Sequence, residues 1–214
     1  TGWPRYWYAP AYALILNTGL RSGEALALAS MSVAAGYGER MLAVTSSHFG
    51  SAEKEFRFPL GYANQRPLSA HWTVTGSGAF IVGKNRSHVR ITGVTVGKIV
   101  DYGLKDSQNM GACMAPAACD TIIQNLEDFE RKETDYDRII TGDLGYVGQS
   151  ILFDLMRGKE HDIKINHMDC GMTIFDQNLQ DTHAGGSGCG CAAATLSAYI
   201  LPKISRGEWK RVLF

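Results

Sequence analysis

Small apolar residues fill the segment from residue 22 to residue 35, and they lie almost all round a helix of 3.6 residues per turn. Gly36 and Gly38 follow this segment, and glycine is a common residue at the C-terminal end of a helix. The short apolar run 41–44 comes next and ends in polar residues, Thr45, Ser46, Ser47 and His48. We predict a buried helix over 22–35 and then a buried strand with polar side chains at its end.

The remaining pattern alternates between strand-like and helix-like segments. Segments 72–82 and 89–100 are rich in β-branched residues and predict strands, as do the shorter runs 137–140 and 163–165. Segments 112–129 and 147–156 predict helices, with Pro116 near the start of the first. A polar loop separates residues 51 and 70, and a turn is expected at 169–171. Alternating strands and helices predict an α/β fold with a largely parallel sheet.

One helix-strand unit is repeated along the chain. Ser22-Gly23 opens a helix of small residues that leads to Gly36 and the run Met41-Leu42, and Ser187-Gly188 opens a similar helix that leads to Val212-Leu213. Either alanine-rich helices resemble one another by chance, or the chain contains two similar halves. In the second case, a pseudo-twofold axis would aim both helix starts at a shared cleft.

Composition excludes several classes of partner. The chain has 214 residues, 45% of them hydrophobic, with 21 basic and 21 acidic residues, so net charge gives no reason to expect nucleic acid as a partner. Five cysteines are an odd number and indicate reduced thiols in a cytosolic compartment. No apolar run has the roughly 20 residues needed to span a bilayer, so no transmembrane segment is predicted.

The segment 183–191, His-Ala-Gly-Gly-Ser-Gly-Cys-Gly-Cys, is the strongest candidate for a site. Its glycines would let a backbone approach a ligand closely, and a helix start would offer N–H groups to an anion. Alternatively, the small residues only let a helix cross a sheet closely. A Cys-x-Cys pair without a second pair is a poor zinc motif, so we predict no metal and no cofactor.

Many short motifs occur here in the order found in one known family. They include Asn64-Gln-Arg-Pro67, Thr141-Gly-Asp-Leu144, Asp169-Cys-Gly171 and His183-Ala-Gly-Gly-Ser-Gly-Cys189. From about residue 22 to the C-terminus, the chain closely resembles the stage V sporulation protein AD family. Because the resemblance starts near residue 22, we hypothesise that residues 1–21 come from a shifted reading frame or from a wrongly set start.

The resemblance implies a thiolase-like fold, an αβαβα layered sandwich of two similar halves, present here as a partial chain. Residues 1–85 would belong to the N-terminal half and residues 86–214 to the C-terminal half. It also implies binding of dipicolinic acid, or its calcium chelate, during uptake into the developing spore. Expected partners are other stage V sporulation proteins of a membrane complex, on the cytoplasmic face of the spore inner membrane, and a second copy of the chain as a homodimer.

Thiolase-like enzymes use a nucleophilic cysteine and partner groups from two loops, and the resemblance allows each position to be compared. Residues 17–21 stand at the nucleophile position without a cysteine, and Asp143 stands where condensing enzymes often place a histidine. We therefore predict binding without catalysis. The alternatives are an acyl-thioester condensing enzyme that uses Cys189 or an upstream cysteine, and a structural subunit of a channel complex.

A planar dianion needs hydroxyl or N–H donors, cations and a narrow apolar slot. The predicted ligand-binding residues are Ser46, Ser47, His48, Asp143 (through bound calcium), His183, Ser187, Gly188 and Cys189. Each has an ordinary structural interpretation beside this one. The two serines could end a strand, His48 could be structural, Asp143 could cap the following helix, and Cys189 could be a small packed thiol.

Overall fold

The computed structural model describes residues 22–51 and 65–214, which form a mixed α/β structure. The chain order begins with helix α1 (Ser22–Ala34), strand β1 (Arg40–Ser47) and the single turn α2 (Phe49–Ser51). The predicted helix is confirmed, but it is buried on one side only. Ala25, Ala29 and Val33 are buried, whereas Leu28 is 37% and Met31 50% exposed.

Strand β1 pairs with β3 (Gly76–Gly83) in an antiparallel ladder that runs from Arg40 opposite Gly83 to Ser47 opposite Gly76. The predicted strand is confirmed, but the expectation that it is buried is wrong. Ala43 and Thr45 face the interior, while Leu42 is 47% exposed, because alternate side chains of a strand point to opposite faces. This ladder is also an exception to the predicted parallel arrangement.

The other strands are parallel to their neighbours. Strand β2 (Trp72–Thr73) pairs with β6 (Gly186–Ser187). A third sheet has the order β5-β4-β7, with β4 (Arg138–Thr141) between β5 (His167–Asp169) and β7 (Val212–Leu213). The strand predicted at 163–165 is wrong, because the N–H groups of Asn166 and His167 both return to the carbonyl of Ile163 in a turn.

Helices α3 (Met110–Asp128) and α4 (Gly145–Arg157) pack against β4 around one hydrophobic core. Asn109 caps α3 by accepting the N–H of Ala112. Pro116 therefore lies inside the helix rather than at its first turn, and the helix lacks one backbone hydrogen bond there. The fully buried side chains of this core include Ile139, Leu152 and Met156.

The final helical segment is continuous but changes its winding. It comprises α6 (Cys189–Thr195), a π-helical turn (Leu196–Ile200) and α7 (Leu201–Ser205). The short helix α5 (Cys170–Thr173) comes earlier in the chain, directly after β5. Pro202 cannot donate to the preceding turn, which explains the widened winding just before it. A second core surrounds Val74, Ile140, Cys191 and Ile200. Each of the two segments of the predicted repeat contains a helix followed by a strand, α1 with β1 and α6 with β7.

Segment 89–100 is not a strand, contrary to the prediction. It has no ladder partner among the described residues and contacts α3, where Asn125 donates to Thr95 at 2.8 Å and Lys98 pairs with Asp120 at 2.8 Å. Gly97 lies directly against the Thr121 side chain. In 22–51 and 65–214, no helix has both the length and the apolar character to cross a bilayer.

Candidate ligand-binding site

The turn before α6 requires glycine at Gly188. Its backbone has φ +101° and ψ 161°, a conformation that is essentially restricted to glycine. A Cβ atom at this position would also lie 2.8 Å from the Ser47 hydroxyl oxygen. The predicted glycine-rich segment therefore brings the start of α6 directly against the end of β1.

Ser47 connects three parts of the chain. Its hydroxyl donates to the carbonyl of Val74 at 2.6 Å and accepts the N–H of Gly190 at 2.9 Å. Two residues earlier on β1, Thr45 donates to the carbonyl of Cys189 at 3.3 Å. These contacts connect the end of β1 to the residue after β2 and to the first turn of α6.

Asp143 holds the same turn from the end of β4. One of its carboxylate oxygens accepts the N–H of Gly188 at 3.0 Å, and the residue is 7% exposed. The N–H of Cys191 also bonds within the turn, to the carbonyl of Gly188. The idea that the helix start offers unpaired N–H groups to an anion is wrong for Gly188, Gly190 and Cys191, because protein acceptors already bind them.

Ser187 lies in the ladder between β6 and β2, opposite Thr73. Its carbonyl accepts the N–H of Val74 at 2.9 Å, and the residue is fully buried. Ser187 therefore anchors the turn at Gly188 to strand β2 through the ladder that precedes it. A ligand could reach its side chain only if the surrounding structure opened.

A shallow, open depression of about 620 Å³ lies at the end of β1 and includes three of the predicted residues, Ser46, Ser47 and His48. The other described residues that line it are Ser51, Thr75, Gly76 and Ser77. Most of its side-chain polar atoms are hydroxyls, which can donate to or accept from a ligand. Asp143 instead faces a wider groove beside α1 and α3.

The two predicted histidines have different surroundings. His48 is exposed, and its Nδ1 accepts the N–H of Ser51 at 3.3 Å. His183 has a positive φ of 51°, and its ring contacts the Pro67 carbonyl at 2.8 Å and the Asp181 carboxylate at 3.1 Å. His48 therefore lines the depression, whereas His183 fixes a separate turn.

Asp169 has a role that its sequence context does not indicate, since segment 169–171 predicts only a turn. Asp169 is 2% exposed, and its carboxylate accepts four hydrogen bonds. The donors are the Thr141 hydroxyl (2.7 Å) and the backbone N–H groups of Leu144 (2.9 Å), Gly145 (3.2 Å) and Met172 (3.1 Å). Burial raises the pKa of Asp169 to about 6, while the hydrogen bonds from Thr141, Leu144 and Gly145 act in the opposite direction. The signal in the sequence is the three-residue spacing between Asp169 and Met172, which is the spacing of an N-cap side chain and the N–H that it accepts.

His167 is a second buried group in the same region. Its Nε2 lies 3.1 Å from the Thr141 hydroxyl oxygen, and its Nδ1 lies 3.0 Å from the Gln149 amide nitrogen. Because the Thr141 hydroxyl donates to Asp169, its oxygen accepts from His167, which assigns the ring proton to Nε2. Burial lowers the pKa of His167 to about 4.

Two thiols near the candidate site, Cys170 and Cys191, are buried in the protonated form. Burial raises the pKa of Cys191, and the nearby Asp143 and Asp169 carboxylates raise it further. Burial likewise raises the pKa of Cys170, with Asp169 as a further cause. Cys189 is half-buried. Since the thiolate is the reactive form, Cys170 and Cys191 are poor nucleophiles in this environment.

The fold and the site define an α/β protein in which polar strand ends surround the start of a glycine-rich helix. The family model described as stage V sporulation protein AD matches residues 12–214. The chain is also 43% identical over 191 residues to stage V sporulation protein AD of Bacillus subtilis (strain 168). The chain belongs to the stage V sporulation protein AD family.

The alignment with that relative covers 89% of this chain and 56% of the relative, so the chain spans about half the length of the curated relative it matches. The family match begins at residue 12, earlier than the start near residue 22 expected from the sequence. This argues against a shifted reading frame for residues 12–21. The proposed nucleophile position at 17–21 lies outside the described residues.

Proposed function

We propose that this chain acts in sporulation as a non-catalytic binding protein for dipicolinic acid or its calcium chelate, and that it assists uptake of the ligand into the developing spore. Membership in the stage V sporulation protein AD family supports the role in sporulation. The choice of ligand rests on the resemblance described above and on the chemistry of the depression at the end of β1.

The observation that carries the proposal is the hydroxyl-rich lining of this depression. Dipicolinate has two carboxylates on a planar ring, and each carboxylate oxygen needs hydrogen-bond donors. Ser46, Thr75 and Ser77 are exposed and offer such donors, whereas the Ser51 hydroxyl already donates to the carbonyl of His48 at 3.3 Å. The ring of His48 beside them can also stack. Among residues 22–51 and 65–214, no acidic side chain lines the depression, so the described part of its wall presents no like charge to a dianion.

A calcium ion bound together with dipicolinate would need further oxygen ligands from the protein. Asp143 is buried and already accepts the N–H of Gly188, which makes it a poor direct ligand for an incoming ion. A calcium ion that entered with dipicolinate would keep the ring nitrogen and carboxylates of that ligand. The hydroxyls of Ser46 and Ser77 could then supply further oxygen atoms of the kind that calcium prefers.

We further propose that the complete fold is the thiolase-like αβαβα sandwich, with this chain contributing to both halves. Its partners would be other stage V sporulation proteins, and its position would be peripheral to the spore inner membrane through those partners. The formation of both helix-strand units, α1-β1 and α6-β7, supports the two-half arrangement.

An acyl-thioester condensing enzyme has less support. Burial raises the pKa values of Cys170 and Cys191. The Asp143 carboxylate already accepts the N–H of Gly188. A carboxylate at the position of Asp143 also cannot donate to a thioester oxygen as an imidazole can. These features favour binding over acyl transfer.

Calorimetric titration of the 214-residue chain with dipicolinate, with and without calcium, tests the proposal. Benzene-1,3-dicarboxylate and pyridine-2-carboxylate serve as controls, because they lack the ring nitrogen and one carboxylate, respectively. We expect saturable heat for dipicolinate and weaker binding for both controls. Absence of binding under both calcium conditions, or equal binding of all three compounds, would refute the proposal.

A further inference from the structure

The Asp169 carboxylate holds both ends of the loop that carries Asp143. One oxygen of Asp169 accepts from the Thr141 hydroxyl at 2.7 Å and from the N–H of Leu144 at 2.9 Å. Residues 142 and 143 therefore lie between two donors that share a single acceptor atom. The other oxygen binds the N–H groups of Gly145 and Met172 at 3.2 and 3.1 Å.

The loop has little freedom to move away from this arrangement. Gly145 has φ +65°, and a Cβ atom there would collide with the carbonyl oxygen of Ala184. The N–H of Tyr146 donates to that same carbonyl at 2.9 Å. Asp143, held in this way, places its own carboxylate 3.0 Å from the N–H of Gly188.

We propose that Asp169 is a positioning residue for the ligand site, and that it acts through Asp143 on the turn that begins α6. This proposal rests on the function proposed above for the depression at the end of β1. The turn that Asp143 holds is also the one that Ser47 holds through the N–H of Gly190. A shift of the 142–144 loop would therefore change the position of Ser47, which lines the depression.

Thr141→Val tests the proposal with little change of shape, because it leaves the Asp169 carboxylate and its three backbone donors in place. It removes one donor to Asp169 and also the acceptor of the His167 Nε2 proton. Its matched control is Thr195→Val, which removes a buried hydroxyl that donates to the carbonyl of Cys191 at 3.0 Å and also bonds to the Cys170 thiol rather than to the Asp169 carboxylate. Asp169→Asn is the stronger perturbation. Each oxygen of Asp169 accepts two donors, so an amide nitrogen at either position would face two N–H or O–H groups.

The first readout is the amide ¹H–¹⁵N resonance of Gly188, which reports the hydrogen bond to Asp143 without any ligand. We expect Thr141→Val to shift this resonance and Thr195→Val to leave it nearly unchanged. If Thr141→Val leaves the Gly188 resonance where it is in the wild type, the proposal is overturned. This outcome does not depend on whether dipicolinate binds.

The second readout is dipicolinate affinity in a double-mutant cycle with Asp143→Ala. We expect Thr141→Val alone to weaken binding about fivefold to tenfold, the scale of one hydrogen bond, and to have little further effect when Asp143 is absent. An equal loss in both backgrounds would show that Thr141 and Asp169 act by another route. If wild-type chain binds no dipicolinate, the proposed function fails, while the Gly188 resonance still decides the positioning role.

Discussion

The Ser47 hydroxyl accepts the N–H of Gly190 at 2.9 Å, although 143 residues separate the two in the chain. The same hydroxyl donates to the carbonyl of Val74 at 2.6 Å. One side chain thus satisfies two backbone groups from different elements and fixes the start of α6 against β1. This contact makes Ser47 both a structural residue and part of the depression wall.

Ser47→Ala is expected to lower the free energy of unfolding by about 1–3 kcal/mol, because it leaves the Gly190 N–H and the Val74 carbonyl without their acceptor and donor. Ser46→Ala is the matched control, since Ser46 is the exposed neighbour on the same strand, and its effect should stay within about 0.5 kcal/mol. Urea unfolding of the three proteins measures both values. Equal stability of the two variants would contradict the role assigned to the Ser47 hydroxyl.

Gly188→Ala is expected to destabilise the chain more than Gly207→Ala. Both glycines have positive φ, +101° and +75°, but a Cβ at Gly188 would meet Ser47 whereas a Cβ at Gly207 would meet nothing within 4 Å. The expected losses are about 3 kcal/mol at Gly188 and about 1 kcal/mol at Gly207. Thermal and urea unfolding compare them, and a similar loss at both positions would show that the close approach to Ser47 has no energetic consequence.

Opposite effects of pH on stability are expected from His167 and Asp169. The pKa of His167 is lowered from 6.5 to about 4, so its contribution is present above pH 6.5 and is lost as the pH falls toward 4. The pKa of Asp169 is raised from 3.8 to about 6, so its contribution is present below pH 3.8 and is lost as the pH rises through 6. In the wild type the two contributions should largely cancel between pH 4 and 6.5.

His167→Gln removes one of these contributions and leaves the other. Between pH 6.5 and 4, the stability of this variant relative to the wild type should rise by about 3 kcal/mol, the value of a shift of this size. Asp169→Asn should show the opposite trend relative to the wild type. Urea unfolding at several pH values gives both differences, and a pH-independent difference for His167→Gln would contradict the assignment of a buried neutral imidazole.

Cysteine labelling is expected to follow burial. Cys113 is exposed and should react with iodoacetamide in the native protein, while Cys119, Cys170 and Cys191 are buried and should react only after unfolding. Mass spectrometry of native and unfolded samples distinguishes them. Acetyl- and malonyl-thioesters should leave no adduct on any cysteine, and an acylated Cys189 or Cys191 would revive the condensing-enzyme alternative.

Local sequence patterns predicted many of the helices and strands, but not which of their faces are buried. The helix over 22–35 and the strand over 41–44 were predictable because glycines end the helix and a short apolar run that leads into polar residues marks the strand. Their exposed sides were not predictable, since burial depends on what covers each face. Segment 89–100 shows the same limit, because its β-branched residues favour a strand only when a neighbouring strand pairs with them.

The candidate site shows where prediction from sequence ends. The grouping of Ser47, Asp143 and Gly188 could be anticipated because polar residues at strand ends and a glycine-rich helix start are visible in the chain. Asp169 could not be recognised, because three of its four donors belong to the stretch 141–145, 24 to 28 residues earlier in the chain. His183 was predicted to bind the ligand because histidine is a common ligand-binding residue. Its ring instead contacts the Pro67 carbonyl and the Asp181 carboxylate in a separate turn.

The most direct test of ligand binding at the end of β1 is calorimetric titration of dipicolinate into the wild type, Ser46→Asp and Ser87→Asp. Both serines are exposed, but only Ser46 lines the depression, so the two variants add the same charge at a tested and a remote position. We predict that Ser46→Asp weakens binding at least about tenfold through repulsion of the ligand carboxylates, while Ser87→Asp binds like the wild type. Equal affinity of all three proteins, or no binding by the wild type, would contradict this site.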